Sequence, residues 1–338
     1  MLSDSAPAVV PTVAWVSGAV ELLDQTAIPQ AERVVRCEHV DALIDAIQRL
    51  VVRGAPAIGV AGAYGVALAA RIHAADRVAF DRDVIRIRDA RPTAVNLARM
   101  VTRVAAVASS PDAALAAAHA VRDEEVAASA AMGTLGAELL RSLFGDRPLR
   151  VMTICNTGRL ATVERGTALA VVQTLHEEGR LAEALPLETR PLLQGGRLTT
   201  WELARMGAPH RLIVDSAAAS LLARGFADAV LVGADRVARN GDTANKIGTF
   251  ALALAAQYAH VPFIVVAPES TVDLDTATGA EIEIEDRGDD EVRGFRGVPV
   301  APPETRTINP AFDVTPVALI DALVTDRRVV RFGRGDTL

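Results

Sequence analysis

Short, continuously apolar segments alternate with helical segments from residue 149 onward, and this alternation constrains the fold more than any other feature of the chain. The apolar segments cover residues 149–154, 184–188, 212–215, 229–232 and 263–266. Helical spacing of apolar residues covers 162–178, 198–206, 216–223 and 247–260. Short apolar strands separated by helices are typical of a parallel, doubly wound sheet. The sequence therefore predicts an α/β fold for this part of the chain.

The first 145 residues have a different pattern. Short strands are predicted at 12–16, 19–23 and 33–37. Helices are predicted at 40–52, 57–73, 94–109 and 111–144. We therefore expect two domains, a smaller N-terminal domain of short β-strands and helices at 1–145 and a parallel-sheet domain at 146–338.

Composition excludes several classes of function. The formal net charge is −7 and only 4% of residues are aromatic, so we expect no nucleic-acid partner. The longest apolar stretch, 58–70, is shorter than the roughly 20 residues of a membrane span, and no secretory signal is recognisable. Cys37 and Cys155 are too few for a disulfide framework, and the histidine spacing indicates no metal site. We expect a cytoplasmic protein with no membrane partner.

Reactive or polar side chains lie at or just beyond the end of each of the five predicted strands. They are Cys155, Glu188, Asp215, Asp235 and Glu269. In open parallel sheets, ligands bind outside the carboxyl ends of the strands. A helix cap explains any single one of them, and Asp215 fits that role, but five together predict a binding site at this edge of the sheet.

Cys155 and Asp235 are the candidate catalytic residues. Amides of a following helix would favour the thiolate of Cys155, although a free cysteine is as often a small buried apolar residue. Asp235 follows a strand that we expect to be buried, and burial favours the protonated carboxyl of a general acid. The alternative for Asp235 is a structural ion pair with Arg236. Cys37 lies between charged residues on a strand, and no role is assigned to it.

Three segments have the character of anion-binding sites. Arg53 precedes a Gly-Ala-Pro helix start whose free amides suit a phosphate, and Arg91 precedes another helix. The segment 240–246 reads as a loop that ends in Lys246, the only lysine of the chain. A lone lysine among many arginines indicates a position that needs a compact ammonium, unless it is there by chance.

Several motifs are absent from the sequence. No dinucleotide-binding glycine fingerprint, P-loop or hydrolase nucleophile elbow is present. The residues by themselves therefore indicate a site with one thiol, one acid and phosphate-binding groups, and no cofactor. A proton or hydride rearrangement on a small phosphorylated substrate fits this set.

Six segments in order resemble the methylthioribose-1-phosphate isomerase family, which is related to the regulatory α, β and δ subunits of the translation-initiation guanine-exchange factor. They are RGAPAIGVAGAYG (53–65), RPTAVNL (91–97), CNTGRLAT (155–162), ETRPLLQGGRLTTWEL (188–203), VGADRVARNGDTANKIGT (232–249) and NPAFDVTP (309–316). The resemblance implies a homodimer with a Rossmann-like catalytic domain. It also implies conversion of a cyclic 5-substituted ribose 1-phosphate to the ribulose 1-phosphate.

The resemblance assigns the family's catalytic cysteine and aspartate to Cys155 and Asp235. Its substrate-binding positions fall on Arg53, Gly54, Ala55, Arg91, Gln194, Asn245 and Lys246. We expect Asp235 to protonate the ring oxygen, after which hydrogen moves from C2 to C1, as a proton through Cys155 or as a hydride. The exchange-factor subunits lack this thiol and acid pair, which favours the enzyme over a regulatory binding protein.

Two departures from the family pattern bear on the substrate. Residues 163–166 read Val-Glu-Arg-Gly where the family has small residues and tyrosine, and Ile154 replaces a frequent histidine. Methylthioribose 1-phosphate remains the expected substrate, with 5-deoxyribose 1-phosphate and ribose 1,5-bisphosphate as alternatives. Arg165 is the residue expected to alter which 5-substituent is accepted.

Overall fold

The computed structural model describes residues 10–92, 94–295 and 297–338. Contacts between residues define two compact units. Unit 1 extends to Glu125 and includes Leu160–Glu164, and unit 2 contains Val126–Arg159 and Arg165–Leu338. A division after residue 145 was expected, whereas the contacts divide the chain within one long helix.

Unit 1 begins with an antiparallel three-stranded sheet and continues as helices. The strands are β1 (Val13–Val16), β2 (Ala19–Leu23) and β3 (Val34–Cys37), in that order across the sheet. The helices are α1 (Val40–Gln48), α2 (Ala55–Ile72), α3 (Arg77–Arg88), α4 (Val95–Ala105) and the first part of α5 (Pro111–Phe144). Helix α3 was not predicted, because half of its residues are charged and interrupt the apolar pattern. Asp76 caps this helix by accepting the N–H of Ala79.

Helix α2 is the core of unit 1. Its small residues let α4 approach closely: a Cβ on Gly62 would lie 2.5 Å from Cδ1 of Leu97. Within the part of the chain that the structure describes, α2 is the one helix long and apolar enough to cross a membrane. Because 83% of it is buried inside the fold, α2 has the character of the core helix of a globular unit.

Unit 2 contains a six-stranded sheet that confirms the mixed α/β fold. Its strands are β4 (Leu149–Thr153), β5 (Leu181–Pro186), β6 (Ala229–Val232), β9 (Phe263–Val266), β14 (Ala322–Val324) and β15 (Val329–Val330). The order is β15-β14-β9-β6-β4-β5, parallel except for β15. The strand predicted at 212–215 is wrong. This segment lies beyond the edge strand β5 and forms one isolated bridge, between Leu187 and Ile213.

Helices of unit 2 cover both faces of this sheet. They are α6 (Ala168–Glu177), α7 (Thr200–Met206), α8 (Ala218–Ala223) and α9 (Thr249–Tyr258). A further short helix, α10 (Asp290–Arg293), has no buried residue. Alternate strand residues point to opposite faces: Val151 packs in one apolar core, and Met152 packs in the other. Met132 and Leu140 of α5 belong to the first core. The C-terminal part of α5 is therefore part of unit 2.

A second sheet of unit 2 was not predicted. It has the order β10-β7-β8-β13, formed by β10 (Val272–Asp273), β7 (Arg236–Ala238), β8 (Thr243–Lys246) and β13 (Phe312–Thr315). The segment 240–246, predicted as a loop, is a β-hairpin turn followed by a strand. Its turn uses Gly241 with φ of 93°, which suits glycine. A separate ribbon pairs β11 (Gly294–Phe295) with β12 (Val298–Pro299).

Candidate active site

The two predicted catalytic residues follow neighbouring strands of the six-stranded sheet. Strands β4 and β6 pair in parallel, with Val151 opposite Ala229. Cys155 comes two residues after the end of β4, and Asp235 comes three residues after the end of β6. Both residues thus lie at the edge of the sheet formed by the carboxyl ends of its strands, as the sequence predicted.

Cys155 is buried in a loop whose backbone is held on both sides. Its N–H donates to the hydroxyl of Thr189 at 2.8 Å, and its carbonyl accepts from the hydroxyl of Thr199 at 2.6 Å. The next residue, Asn156, donates its side-chain N–H to Glu202 at 2.6 Å. The loop is therefore fixed by side chains that come from elsewhere in unit 2.

The expected burial of Asp235 is wrong. Strand β6 is fully buried, but the chain leaves the sheet through Gly233 and Ala234 into the β7–β8 hairpin, and Asp235 is exposed there. Its backbone N–H donates to the carbonyl of Ala244 at 2.9 Å. Arg236, the alternative partner, forms an ion pair with Asp273 at 3.7 Å. Burial therefore does not keep this carboxyl protonated in the free chain.

Lys246 lies buried at the end of β8, not at the mouth of a loop. Its Nζ donates to the carbonyl of Ala311 at 2.6 Å and lies 4.6 Å from the centre of the Phe312 ring. Burial lowers the pKa of this ammonium, and the charges of Cys155 and Asp235 act in the opposite direction. Cys155 and Asp235 therefore lie close enough to Lys246 to interact with it electrostatically.

Asn245 and Gln194 are both buried polar residues of unit 2. Asn245 donates its side-chain N–H to the hydroxyl of Thr249 at 2.9 Å. Gln194 immediately precedes the π-helix 195–199. Its Oε1 is buried and forms no hydrogen bond within the described ranges. A buried acceptor without a partner is costly unless a ligand supplies a donor. Gln194 is therefore suited to accept a hydrogen bond from a hydroxyl group of a substrate.

Unit 1 contains the other four predicted site residues. Arg53 donates its Nε–H to the side-chain oxygen of Gln25 at 3.1 Å. Gly54, with φ of 91°, packs against Ala161. Arg91 lies in the turn before α4, where its carbonyl accepts the N–H of Ala94 at 3.0 Å. The neighbouring Thr93 lies outside the described residues.

The amides at the start of α2 are only partly available. Pro56 has no N–H, and Ala57 donates its N–H to the carbonyl of Ala161 at 3.1 Å. Among the residues described, no hydrogen bond is formed by the N–H groups of Gly54 and Ala55. An anion at this helix start would therefore be held by these two amides and by Arg53, and not by the full first turn.

Sequence reasoning missed the residues that hold the site. Thr189, Thr199 and Glu202 lie in the segment 188–203, of which only Gln194 was assigned a role. Asp313 lies in 309–316, and its carboxylate accepts the N–H groups of Gly248 at 2.7 Å and Phe250 at 3.1 Å. The family resemblance of both segments was the signal that could have drawn attention to these residues.

Arg165, expected to influence the 5-substituent, is engaged within unit 2. It donates to Glu177 at 2.6 Å and to the hydroxyl of Thr174 at 3.3 Å. Both partners lie on α6. This ion pair gives no support to a role for Arg165 in recognising a second phosphate.

Comparison with known proteins identifies the family. The family model described as the initiation factor 2 subunit family matches residues 51–331. The chain belongs to this family. The resemblance to methylthioribose-1-phosphate isomerases is also confirmed, because several members with that name are about half identical to the chain.

Two of the relatives differ in how much of their own length this chain covers. The chain is 52% identical to a methylthioribose-1-phosphate isomerase of Anaeromyxobacter sp. strain K, over 92% of this chain and 91% of the relative. It is 51% identical to a probable bifunctional methylthioribose-1-phosphate isomerase/methylthioribulose-1-phosphate dehydratase of Nocardia farcinica, over 94% of this chain. The chain spans only 59% of that longer family member.

Two solved structures share the family fold under different names. The crystal structure of 5-methylthioribose 1-phosphate isomerase from Pyrococcus horikoshii OT3 has a TM-score of 0.89 and 37% identity, and the match covers 96% of this chain and 93% of that one. A structure named translation initiation factor eIF-2B, subunit delta, from A. fulgidus has a TM-score of 0.82 and 39% identity, covering 96% of each chain. Fold alone therefore does not decide the function of a family member.

Proposed function

We propose that the chain is an aldose–ketose isomerase that converts 5-methylthioribose 1-phosphate to 5-methylthioribulose 1-phosphate, a step of methionine salvage. The observation that carries this proposal is the position of Cys155 and Asp235 at the ends of neighbouring strands. The chain is also 52% identical to a protein named methylthioribose-1-phosphate isomerase, and that match covers 92% of this chain and 91% of the relative. The buried Lys246 beside them supplies the positive charge that an anionic substrate needs.

Asp235 acts as the general acid that protonates the ring oxygen, so that the bond between this oxygen and C1 breaks. Since Asp235 is exposed in the free chain, a second cause must keep it protonated. A phosphate bound nearby provides that cause, because a neighbouring negative charge disfavours the carboxylate. Hydrogen then moves from C2 to C1, either as a proton through Cys155 or directly as a hydride. As the ketone forms at C2, its hydroxyl proton returns to the Asp235 carboxylate.

The remaining predicted residues bind the substrate in this proposal. They are Arg53, Gly54, Ala55, Arg91, Gln194, Asn245 and Lys246. Support comes from the two amides of Gly54 and Ala55 and from the buried Oε1 of Gln194. We also propose a Rossmann-like catalytic domain, for which the parallel strand order offers support, and a cytoplasmic homodimer of twice 35.5 kDa.

Turnover of 5-methylthioribose 1-phosphate tests the proposal directly. We expect ketose product with wild type and losses of at least about 100-fold with Cys155→Ala and Asp235→Asn. Cys37→Ala is the matched control for the cysteine and should retain activity. In deuterated solvent, the proton route incorporates deuterium at C1 and the hydride route does not. Activity that survives in Cys155→Ala would contradict the assignment of that residue.

A second candidate is a non-enzymatic binding protein like the exchange-factor subunits. The 39% identity to the structure named eIF-2B subunit delta favours it. Related sugar phosphates, 5-deoxyribose 1-phosphate and ribose 1,5-bisphosphate, are the alternative substrates. Absence of turnover with all three compounds would make the binding protein the leading function.

A further inference from the structure

The backbone of Cys155 has a conformation that cysteine rarely adopts. Its φ is +68°, in the left-handed region where contacts of the Cβ disfavour every residue except glycine. Such a conformation persists only where the surroundings impose it, and it is concentrated at functional sites. The contacts around Cys155 show what imposes it.

Two buried hydroxyls hold the peptide groups of Cys155, and we call Thr189 and Thr199 the threonine clamp. Thr189 accepts the N–H of Cys155 at 2.8 Å and donates its own proton to the carbonyl of Leu187 at 3.0 Å. Thr199 donates its proton to the carbonyl of Cys155 at 2.6 Å. Both threonines are 0% exposed. The donor and the acceptor of Cys155 are therefore each fixed by a different side chain.

Two carboxylates hold the segments on either side of this contact. Asp215 accepts the N–H groups of Thr189 and Arg190 at 2.7 Å each, which fixes the first threonine. Glu202 accepts the N–H of Arg159 at 2.7 Å and so fixes the backbone four residues after Cys155. A Cβ on Gly158 would collide with the Glu202 carboxylate. These contacts restrict the backbone on both sides of Cys155.

The second threonine stands at the end of the π-helix 195–199. A π-helix contains an extra residue in its turn and is frequent at functional sites. The same turn begins at Gln194, a proposed substrate-binding residue. One short element therefore connects the contact with Cys155 to the proposed substrate contact.

We propose that Thr189 and Thr199 are positioning residues, which hold Cys155 in its left-handed conformation and so direct its thiol toward the substrate. The inference rests on the proposed isomerase function. Neither threonine takes part in the chemistry. What each position requires is a hydroxyl, because valine has the shape of threonine but neither donates nor accepts a hydrogen bond.

The pair Thr199→Val and Thr199→Ser tests the requirement for a hydroxyl. We expect kcat to fall roughly 10- to 100-fold in Thr199→Val with KM within about two-fold of wild type, because a small misplacement of a reacting group slows chemistry without weakening binding. Thr199→Ser should restore most of kcat. Equal kcat in wild type and Thr199→Val would overturn the proposal.

Alkylation of Cys155 by iodoacetamide, followed by mass spectrometry, gives a second result that does not depend on turnover. We expect Cys155 to react several-fold faster in Thr199→Val than in wild type, because the released loop exposes the thiol. Thr199→Ser should react at the wild-type rate. If wild type shows no turnover while these alkylation rates differ as expected, the proposed function fails and the threonine clamp stands.

Cys37 monitors the fold in the same samples. It is fully buried, and burial raises the pKa of its thiol to about 11, so it should not react in the native protein. If Cys37 reacts in Thr199→Val, that variant is unfolded, and the pair Thr189→Val and Thr189→Ser decides by the same two measurements. Unchanged alkylation of Cys155 in a folded valine variant would overturn the proposal.

Discussion

At the scale of single residues, Lys246 shows how much of the environment of a charged side chain could be predicted from the sequence. Its uniqueness in the sequence pointed to a special position, and the structure places it under the Ala311 carbonyl and the Phe312 ring. Neither contact was predictable, because both partners lie about 65 residues further along the chain. The expected burial of Asp235 was wrong, because the burial of a strand does not extend to residues beyond the end of that strand.

Substrate binding should depend on the protonation of Lys246. Burial lowers the pKa of its ammonium below the usual 10.5, so the positive charge is present at low pH and is lost as pH rises through the lowered value. We expect kcat/KM to fall on the alkaline side with a midpoint below 10.5, measured with 5-methylthioribose 1-phosphate. Lys246→Met should be slow and should lack this alkaline fall. A wild-type profile that stays flat up to pH 10.5 would contradict the prediction.

At the scale of elements, helices and parallel strands were predicted better than the second sheet. Strands β6 and β9 are continuous apolar runs with the predicted bounds. Strand β8 consists of Thr, Ala, Asn and Lys, and its burial depends on pairing with β13, whose Phe312 lies opposite Lys246. A strand of small and polar residues has no apolar run or alternation that would mark it, so a loop was predicted instead.

The start of α9 should depend on Asp313, which lies on strand β13 and not on the helix. Asp313→Ala leaves the N–H groups of Gly248 and Phe250 without their acceptor. We expect the free energy of unfolding to fall by about 1–2 kcal/mol, measured by urea denaturation. Asp290→Ala is the control, since that carboxylate is fully exposed, and it should cost less than about 0.5 kcal/mol. Equal effects of the two changes would refute the capping role.

Gly54 should be far less tolerant of a side chain than another glycine with positive φ. Its φ is 91°, and an added Cβ would lie 2.5 Å from the backbone of Ala161. Gly54→Ala combines backbone strain with overlap, and we expect a loss of about 2–4 kcal/mol in the free energy of unfolding. Gly145, with φ of 69° and nothing within 4 Å of the added Cβ, is the matched control. Gly145→Ala should cost about 1–2 kcal/mol by the same measurement.

At the scale of the whole molecule, the sequence predicted an α/β chain with two parts, and it could not locate their division. Helix α5 has one uninterrupted helical pattern over 34 residues, so nothing in it marks the change from unit 1 to unit 2. Contacts made by its two ends decide the division, and these contacts are distant in sequence.

The shared helix predicts that both units lose structure together. The two tryptophans report on them separately, because Trp15 lies in unit 1 and Trp201 in unit 2. We expect Trp15→Phe and Trp201→Phe to give the same urea midpoint by fluorescence. Adding Ala127→Pro, an exposed position of α5 next to the division, should cost about 3 kcal/mol and separate the two midpoints.

Ala127→Gly is the control for that substitution, since it lowers helix stability by only about 1 kcal/mol and keeps the backbone hydrogen bond. The two midpoints should remain equal with it. Different midpoints for the two tryptophan variants without any change in α5 would mean that the units unfold independently.

The single buried lysine has a practical consequence for handling this molecule. With Lys246 only 5% exposed, the folded chain presents no lysine side chain to solvent, although it carries 35 basic residues in total. Amine-directed reagents such as succinimidyl esters would then find no accessible lysine side chain in the native state. Lysine-targeted crosslinking and surface acetylation would therefore modify no lysine side chain of the native protein. Trypsin would cut the unfolded chain almost entirely after arginine, so that a cut after residue 246 would itself report that the fold had opened.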